Sequence, residues 1–444
     1  MKLNLFHRLR SLRGSSVVGL LRSGVALGVL AIASLASADI IVPGADGSDG
    51  DLILAYETRV IDLALATTGT WNQPGNGNGV YDPAKWAVVF KYRRVRYEQS
   101  NIQFKPHPSG APVVWLVSEF VSSDPSLRGA IILNGTTTSP GPGGFRSGGF
   151  DVASYGFGPG AGGTTGTKSF ASHGVAGSNG GPIYGNERIM PLVGGSGGGG
   201  KADGPGGGGG AILIACQGIV EGLIVADSND TNGEGTGSGG AIRIVADRIG
   251  GFLNLRASLR GRIRVETNAG GGPLTANAGG GTVSTSTDPF TTAQIWPTDT
   301  HPKVGIVQVH GISAPTDPRA RLEEATTDLA INAGSPVVVR MEALNVPSTW
   351  KVEVKVVPKT GRPIIAEATK VVRDSLVKEL EKGLGAYVDR EFELPIEEYL
   401  SVPGVKVAPK GVKVVDSAYL VVTGDLAGLD FARLPQGGPR RACQ

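Results

Sequence analysis

Three aspartates open the list of residues that could do chemistry. Gly44-Ala-Asp-Gly-Ser-Asp-Gly-Asp51 sets Asp46, Asp49 and Asp51 in a glycine-rich turn. Carboxylates gathered this way are candidate oxygen ligands for calcium. The spacing does not match an EF-hand loop, which needs alternating acids, then a glycine and a distant glutamate. A solvated Asp/Gly turn is the preferred reading, because both residues form turns without any metal. Calcium is the one cofactor the residues suggest, and none is required.

A second group of acids lies further along. Asp227, Asp230 and Glu234 fall in one turn, whereas Arg243, Asp247 and Arg264 fall on or beside aliphatic strands. Paired carboxylates can carry acid/base hydrolysis if the fold sets their separation. Turn acids are more often turn formers, so no catalytic residue is assigned. His107, His173, His301 and His310 show no metal-ligand spacing.

Glycine patterns tempt more strongly. Gly194-Gly-Ser196-Gly-Gly198 satisfies the nucleophile-elbow pattern, and Gly195 to Lys201 spells most of a phosphate-binding loop. Both motifs need a strand before and a helix after. More glycines follow here, which cannot nucleate a helix, and Ala202 stands where a Ser or Thr would ligate magnesium. Both matches are attributed to glycine abundance.

The elements that would position these residues centre on Pro191 to Glu266. Gly209-Gly-Ala-Ile-Leu-Ile214 recurs as Gly239-Gly-Ala-Ile-Arg-Ile244. At the same offset Ile219 falls on Ile249, Leu223 on Leu253 and Val225 on Leu255. A repeat that carries strands and no helical period indicates a solenoid, in which copies stack to share one core. Val113–Val117 and Gly129–Gly135 look like an earlier rung. Of 70 glycines, 44 lie between Gly141 and Gly281, so the bias is local. The runs can supply turns with positive φ, lie as packed polyproline-II-like segments, or form a flexible linker. Regular aliphatic punctuation argues against the linker. Phe145, Phe150, Tyr155, Phe157, Phe170 and Tyr184 punctuate the glycines, and they either pin these loops or form an exposed platform for sugar rings.

Residues 1–38 read as a secretory signal peptide: a basic start, the apolar run Val25–Leu35, and Ala36-Ser-Ala38 as a cleavage site. The chain carries +3, but this leader holds Lys2, Arg8, Arg10, Arg13 and Arg22 and no acid, leaving 3 − 5 = −2 for the rest. That balance gives no basic face for nucleic acid. Lys91, Arg93, Arg94 and Arg96 make a small cluster, expected as a solvated strand face. No transmembrane segment is expected after the leader is removed. The two cysteines, Cys216 and Cys443, do not make a disulfide framework, and Cys216 is expected as a small buried hydrophobe.

The predicted fold is all-β. A glycine-rich parallel β-helix or solenoid-like domain spans 39–282, a Ser/Thr/Pro-rich linker 283–302, a β-sandwich-like domain 303–430 and a tail 431–444. One helix is expected inside the sandwich, where Leu376, Leu380 and Leu384 stand four apart before Gly385. The strand expectations there include Val337–Glu342, Val352–Val356, Gly404–Val407, Val412–Val415 and Tyr419–Val422.

The run Trp86–Phe90, Phe104–Val117, Gly129–Gly135, Pro140–Phe145, Tyr184–Asn186, Pro191–Gly200 and Gly207–Ala215 resembles an uncharacterised group of glycine-rich, secreted bacterial proteins. The Pro-Leu-Val-Gly-Gly-Ser run and the later Gly-Gly-Ala-Ile are the most specific part, and Ala343–Pro347 resembles the tail of those proteins. The resemblance implies export and a β-rich fold and carries no activity. The expected role is a secreted or cell-surface structural or adhesive protein without catalysis, in the extracellular space, on the outer surface or in the periplasm. Its expected partners are polysaccharide or envelope components. The alternative is a carbohydrate-binding or carbohydrate-cleaving protein on the same scaffold.

Overall fold

A computed structural model describes residues 40–123, 129–137, 139–148, 155–162, 169–199, 206–229, 235–299, 301–319 and 328–332. It further describes the strands within 337–344, 351–356, 364–367, 369–371, 390–396, 401–403, 405–408, 414–415 and 419–425. The described chain is nearly all β; its only helical element is a single 3-10 turn, Leu63–Leu65. The expected helix at Leu376–Gly385 lies outside the described residues.

Thirteen strands form one curled, open sheet. In chain order they are β1 (Gly50–Ala55), β2 (Thr58–Asp62), β3 (Thr67–Thr68), β4 (Val80–Asp82), β5 (Ala87–Glu98), β6 (Asn101–Lys105) and β7 (Val113–Ser122). There follow β8 (Ala130–Ile132), β9 (Ala211–Val225), β10 (Ala241–Arg256), β11 (Arg262–Thr267), β12 (Leu274–Asn277) and β13 (Thr282–Ser286). The main path runs β13-β11-β10-β9-β7-β5, all parallel. A second column, β2-β6-β8-β9-β10-β12, is parallel as well.

Alternation decides which side chains fill the core. Ile212, Ile214, Ile242, Ile244, Ile263 and Val265 point inward with Trp115, Tyr97 and Phe90. On the opposite face Leu213, Ala215 and Val245 pack with Ile40, Val42, Ala293 and Ile295 in a second cluster. Each aliphatic side chain removed from water contributes about 1.5–3 kcal/mol, so these two layers drive the stacking.

The thirty-residue repeat is a true register for its first half: Ala211 pairs with Ala241, Ile212 with Ile242 and Ile214 with Ile244. The second half departs from the sequence alignment. Ile219 lies opposite Arg248, Leu223 opposite Asn254 and Val225 opposite Arg256. Two bulges cause the slip. Gln217 and Gly218 oppose Asp247 alone, and then Gly250, Gly251 and Phe252 oppose Glu221 alone. Similarity in sequence could not reveal a bulge on one strand followed by a larger one on its partner.

The glycine runs are ordered by hydrogen bonds to three neighbours in rotation. Gly206 N–H donates to the Gly235 carbonyl and Gly209 to Ser238. Gly207 donates to Thr136 and Gly210 to Leu133, while Gly208 donates to Phe145 and Ala211 to Pro142. The run 194–198 behaves likewise, with Gly195 donating to Gly209 at 2.8 Å and Gly198 to Gly206 at 3.0 Å. A chain that meets the same neighbour every third residue has the threefold period of polyproline II. Of the three readings of the glycines, the packed extended segments match this arrangement. The approach tolerates no side chain: a Cβ on Gly195 would sit well inside 3.0 Å of the Ser238 carbonyl oxygen.

The stretch expected as a linker carries structure. Residues 282–286 are strand β13, paired with β11, and Ile41 bridges Thr292. Beyond it, Lys303–Val309, Val337–Leu344 and Arg390–Ile396 form an antiparallel sheet, with buried Val309, Val339 and Met341. Lys351–Val356 pairs with Ile364–Glu367 and Val405–Ala408. Tyr419–Asp425 pairs with Leu329–Asn332 and Ser401–Pro403.

Candidate functional site

The richest polar constellation lies on the outer face of β10 and β11. Ile242, Ile244 and Ala246 take the core side, which turns Arg243, Val245 and Asp247 outward. Parallel register then sets Arg243 directly beside Arg264, and Arg264 beside Ser284. Glu266, two residues along from Arg264, accepts from Arg243 Nε at 2.9 Å and lies 3.5 Å from Arg264 Nε. Arg243 is 1% exposed. Burial lowers its pKa, Glu266 works against that, and Arg264 and Arg188 add to the lowering. Arg243 Nη1 and Arg264 Nε are buried donors without a hydrogen-bond acceptor. Two adjacent guanidinium groups thus share one carboxylate. Sequence reasoning singled out both arginines and missed Glu266, although its spacing two residues from Arg264 on a strand was visible.

The other acids are held apart. Asp227 accepts from Arg256 Nε at 2.5 Å and from the Ser258 amide at 2.7 Å, and so ties its turn to the end of β10. Asp247 is 3% exposed, and its carbonyl accepts from the Asn268 and Ala269 amides. Asp230 and Glu234 lie outside the described residues.

The three candidate calcium ligands each engage different protein donors. Asp49 is buried; its Oδ1 accepts from the Gly77 and Gly79 amides and its Oδ2 from the Lys91 amide. Asp46 accepts from the Ser48 amide and faces Lys91 Nζ at 3.3 Å. Burial raises its pKa, but Ser48 and Lys91 outweigh that and hold the carboxyl below its ordinary value. Asp51 takes a bidentate grip from Arg93 and a further bond from Arg94, which hold its carboxyl far down. Among the described residues, no three His, Cys, Asp or Glu gather as a metal group.

The basic cluster is a solvated face only in part. Arg93 and Arg96 are exposed, but Lys91 is completely buried. Its ammonium donates to the Gln73 carbonyl at 2.7 Å and pairs with Asp46. The register Lys91↔Leu116 places it in a covered row of the sheet rather than on a free one.

Ser196 is no nucleophile elbow. It is fully buried between extended glycines, its Oγ accepts from the Gly160 amide, and its own amide donates to Ser238 Oγ. Residues 200–205, which complete the phosphate-loop pattern, lie outside the described residues. The histidines serve separate packing roles. His107 stacks on Tyr81 and meets Ser109 Oγ at 2.7 Å. His173 stacks on Tyr184, and its Nδ1 meets the Gly239 carbonyl at 2.9 Å. Burial, helped by Arg262, pushes the His173 pKa down to about 3, so the ring is neutral and Nδ1–H donates. Cys216 is buried and its thiol is pushed up to about 12 by that burial, as a small hydrophobe.

Of the aromatics in the glycine-rich stretch, Phe145, Phe157 and Tyr184 are buried, whereas Tyr155 and Phe170 are half-buried. Phe145, Phe157 and Tyr184 form a buried cluster with Val193, and Arg146 covers Phe157 at 3.8 Å. Tyr184 Oη donates to the Gly194 carbonyl at 2.6 Å. Phe150 lies outside the described residues.

Among the described residues, no helix is long and apolar enough to cross a membrane. No protein-family model matches the chain, and no curated protein or solved structure matches it.

Proposed function

We propose that this protein is an exported structural or adhesive component of the cell surface, envelope or extracellular matrix, without catalytic activity. In this reading the thirteen-stranded sheet and the glycine bundle form a solenoid-like body, and the strands beyond 303 form a sandwich-like partner. Export rests on the basic-then-apolar leader at 1–38.

One observation carries the reading. Of the described aromatics that could have formed a sugar platform, Phe145, Phe157 and Tyr184 are buried, and Tyr155 and Phe170 are half-buried. The three buried rings pin a glycine bundle in which even serine hydroxyls serve neighbouring backbone. Such a body invests its polar groups in its own rigidity. The test is to incubate the purified protein with a panel of bacterial and plant polysaccharides, with and without calcium. Co-sedimentation and new reducing or unsaturated ends are both read. Binding without new ends, or neither, agrees with the reading; new ends that scale with protein would overturn it.

A second reading, carbohydrate binding, is favoured by the acceptor-less donors of Arg243 and Arg264. A sugar carboxylate is a bidentate match for a guanidinium. Binding of uronate polymers that is lost in Arg264→Gln would select it.

A further inference from the structure

The two ends of the strand stack are finished differently. Along the inward ladder Val113, Ile212, Ile242, Ile263 and Val283 lie side by side in register. The first four are 0%, 0%, 0% and 1% exposed, and Val283 is 45% exposed. In the next inward row Thr285, beside buried Val265, is exposed too. In the second column Leu274 and Ala276 continue the buried Leu253 and Leu255 but are only half-buried. The core therefore runs out at β12 and β13 with its last layer open.

The strands at that end carry none of the usual protection. β12 reads Leu-Thr-Ala-Asn and β13 reads Thr-Val-Ser-Thr-Ser, without a charge or a proline. Among the described residues, the outer edges of both have no strand partner. Free edges are normally blunted by lysine, inward charge or proline, because an unpaired row of amides and carbonyls recruits another strand. The opposite end also exposes apolar side chains, Ile53, Tyr56, Val60 and Leu65, but it sets charges among them. Arg59 sits on β2 in register with core residue Ile102 and pairs with Glu57. Lys105 pairs with Asp62 there, Leu63 is fully buried, and Tyr81 is covered by Arg319 while donating to Asp317.

We propose that the β12–β13 end is an interface for a second copy of this chain, docked through the same end. The charged end does not fit there, because it would set Arg59 and Asp62 against the apolar layer around Val283. A two-fold arrangement places neutral, Ser/Thr-lined edges against each other as antiparallel strands, which pair as well as parallel ones or better. It brings Val283 against its counterpart and covers the open layer on both copies at once. The contact is isologous and closes as a dimer, not a filament.

Sedimentation velocity and light scattering on the purified protein test this. Wild type is expected to shift from one to two chain masses as concentration rises. Val283→Lys or Thr285→Lys should weaken the dimer by roughly 100-fold, since each substitution enters a symmetric contact twice and a tenfold loss per copy is modest. Val60→Lys, at an exposed site on the charged end, should leave the dimer intact. Far-ultraviolet circular dichroism and the melting temperature confirm that the variants fold. Monomer at every wild-type concentration would overturn the proposal. So would dimers or filaments that survive both β13 substitutions and fall apart on Val60→Lys.

Discussion

Replacing Gly195 with alanine probes the glycine bundle at one of its close backbone approaches. The new Cβ would meet the Ser238 and Gly239 carbonyl oxygens well inside 3.0 Å, and both obstacles are backbone. Relief requires the segment 194–198 to draw away from 236–240. That movement strains the Ser196 amide to Ser238 Oγ bond and the Ser238 amide to Ser196 carbonyl bond, both 2.8 Å. It also disturbs the Gly209 amide to Ser238 carbonyl bond at 3.0 Å. Three buried hydrogen bonds at about 1 kcal/mol each, with about 1–3 kcal/mol for overpacking, give a loss of roughly 4–6 kcal/mol. Gly270 supplies the control, because a Cβ there meets nothing within 4 Å and its φ is not in the left-handed region. Gly270→Ala should be neutral or stabilising by a few tenths of a kcal/mol up to about 1 kcal/mol through the unfolded chain. Urea unfolding followed by tryptophan fluorescence measures both. Equal midpoints for the two variants would refute the reasoning, since only a loose glycine segment treats the two sites alike.

Other consequences follow from single groups. Asp49→Ala orphans three amides, from Gly77, Gly79 and Lys91, and should cost at least about 3 kcal/mol in urea unfolding. Glu266→Gln leaves Arg243 buried without a counter-charge and should destabilise by about 3–5 kcal/mol, whereas the double variant with Arg243→Met recovers most of that loss. His173 has a folded pKa of about 3 against an ordinary 6.5, so the unfolded chain binds the extra proton between those values. Its contribution is fully present above pH 6.5 and is lost as pH falls toward 3, at up to about 1.4 kcal/mol per pH unit. His173→Asn, which keeps an N–H donor near Gly239, should show a shallower loss than wild type between pH 6.5 and 4.5. Parallel curves would contradict the assignment.

Much of the architecture was legible because strands announce themselves through aliphatic alternation. The Gly-Gly-Ala-Ile pairs marked a real register, Ala211 on Ala241, since copies that stack must bury the same positions. The slip after Ala246 was not legible, because a bulge changes pairing without changing composition. Lys91 looked like one of four surface cations; only the covering segment that carries Asp46 and Gln73 hides it. β13 looked like a linker because its serines and threonines carry no apolar period, yet it pairs in register with β11, with Arg262 also donating to the Thr282 hydroxyl. The glycine bundle was visible as one possibility among three. Glycine has no side chain to display a period, so its threefold order exists only in where each amide points. Of the candidate site, Arg243 and Arg264 were visible as strand residues, but that they share Glu266 depended on the register between β10 and β11.

The most direct test of the account is hydrogen exchange of the amides at 194–198, 206–210 and 238–240, read by mass spectrometry with peptide resolution. A body held by rotating hydrogen bonds between its own extended segments predicts protection there comparable to that of β9 and β10. Exchange of these glycines at the rate of an unstructured chain, with β9 and β10 still protected, would contradict it and return the glycine runs to a flexible linker.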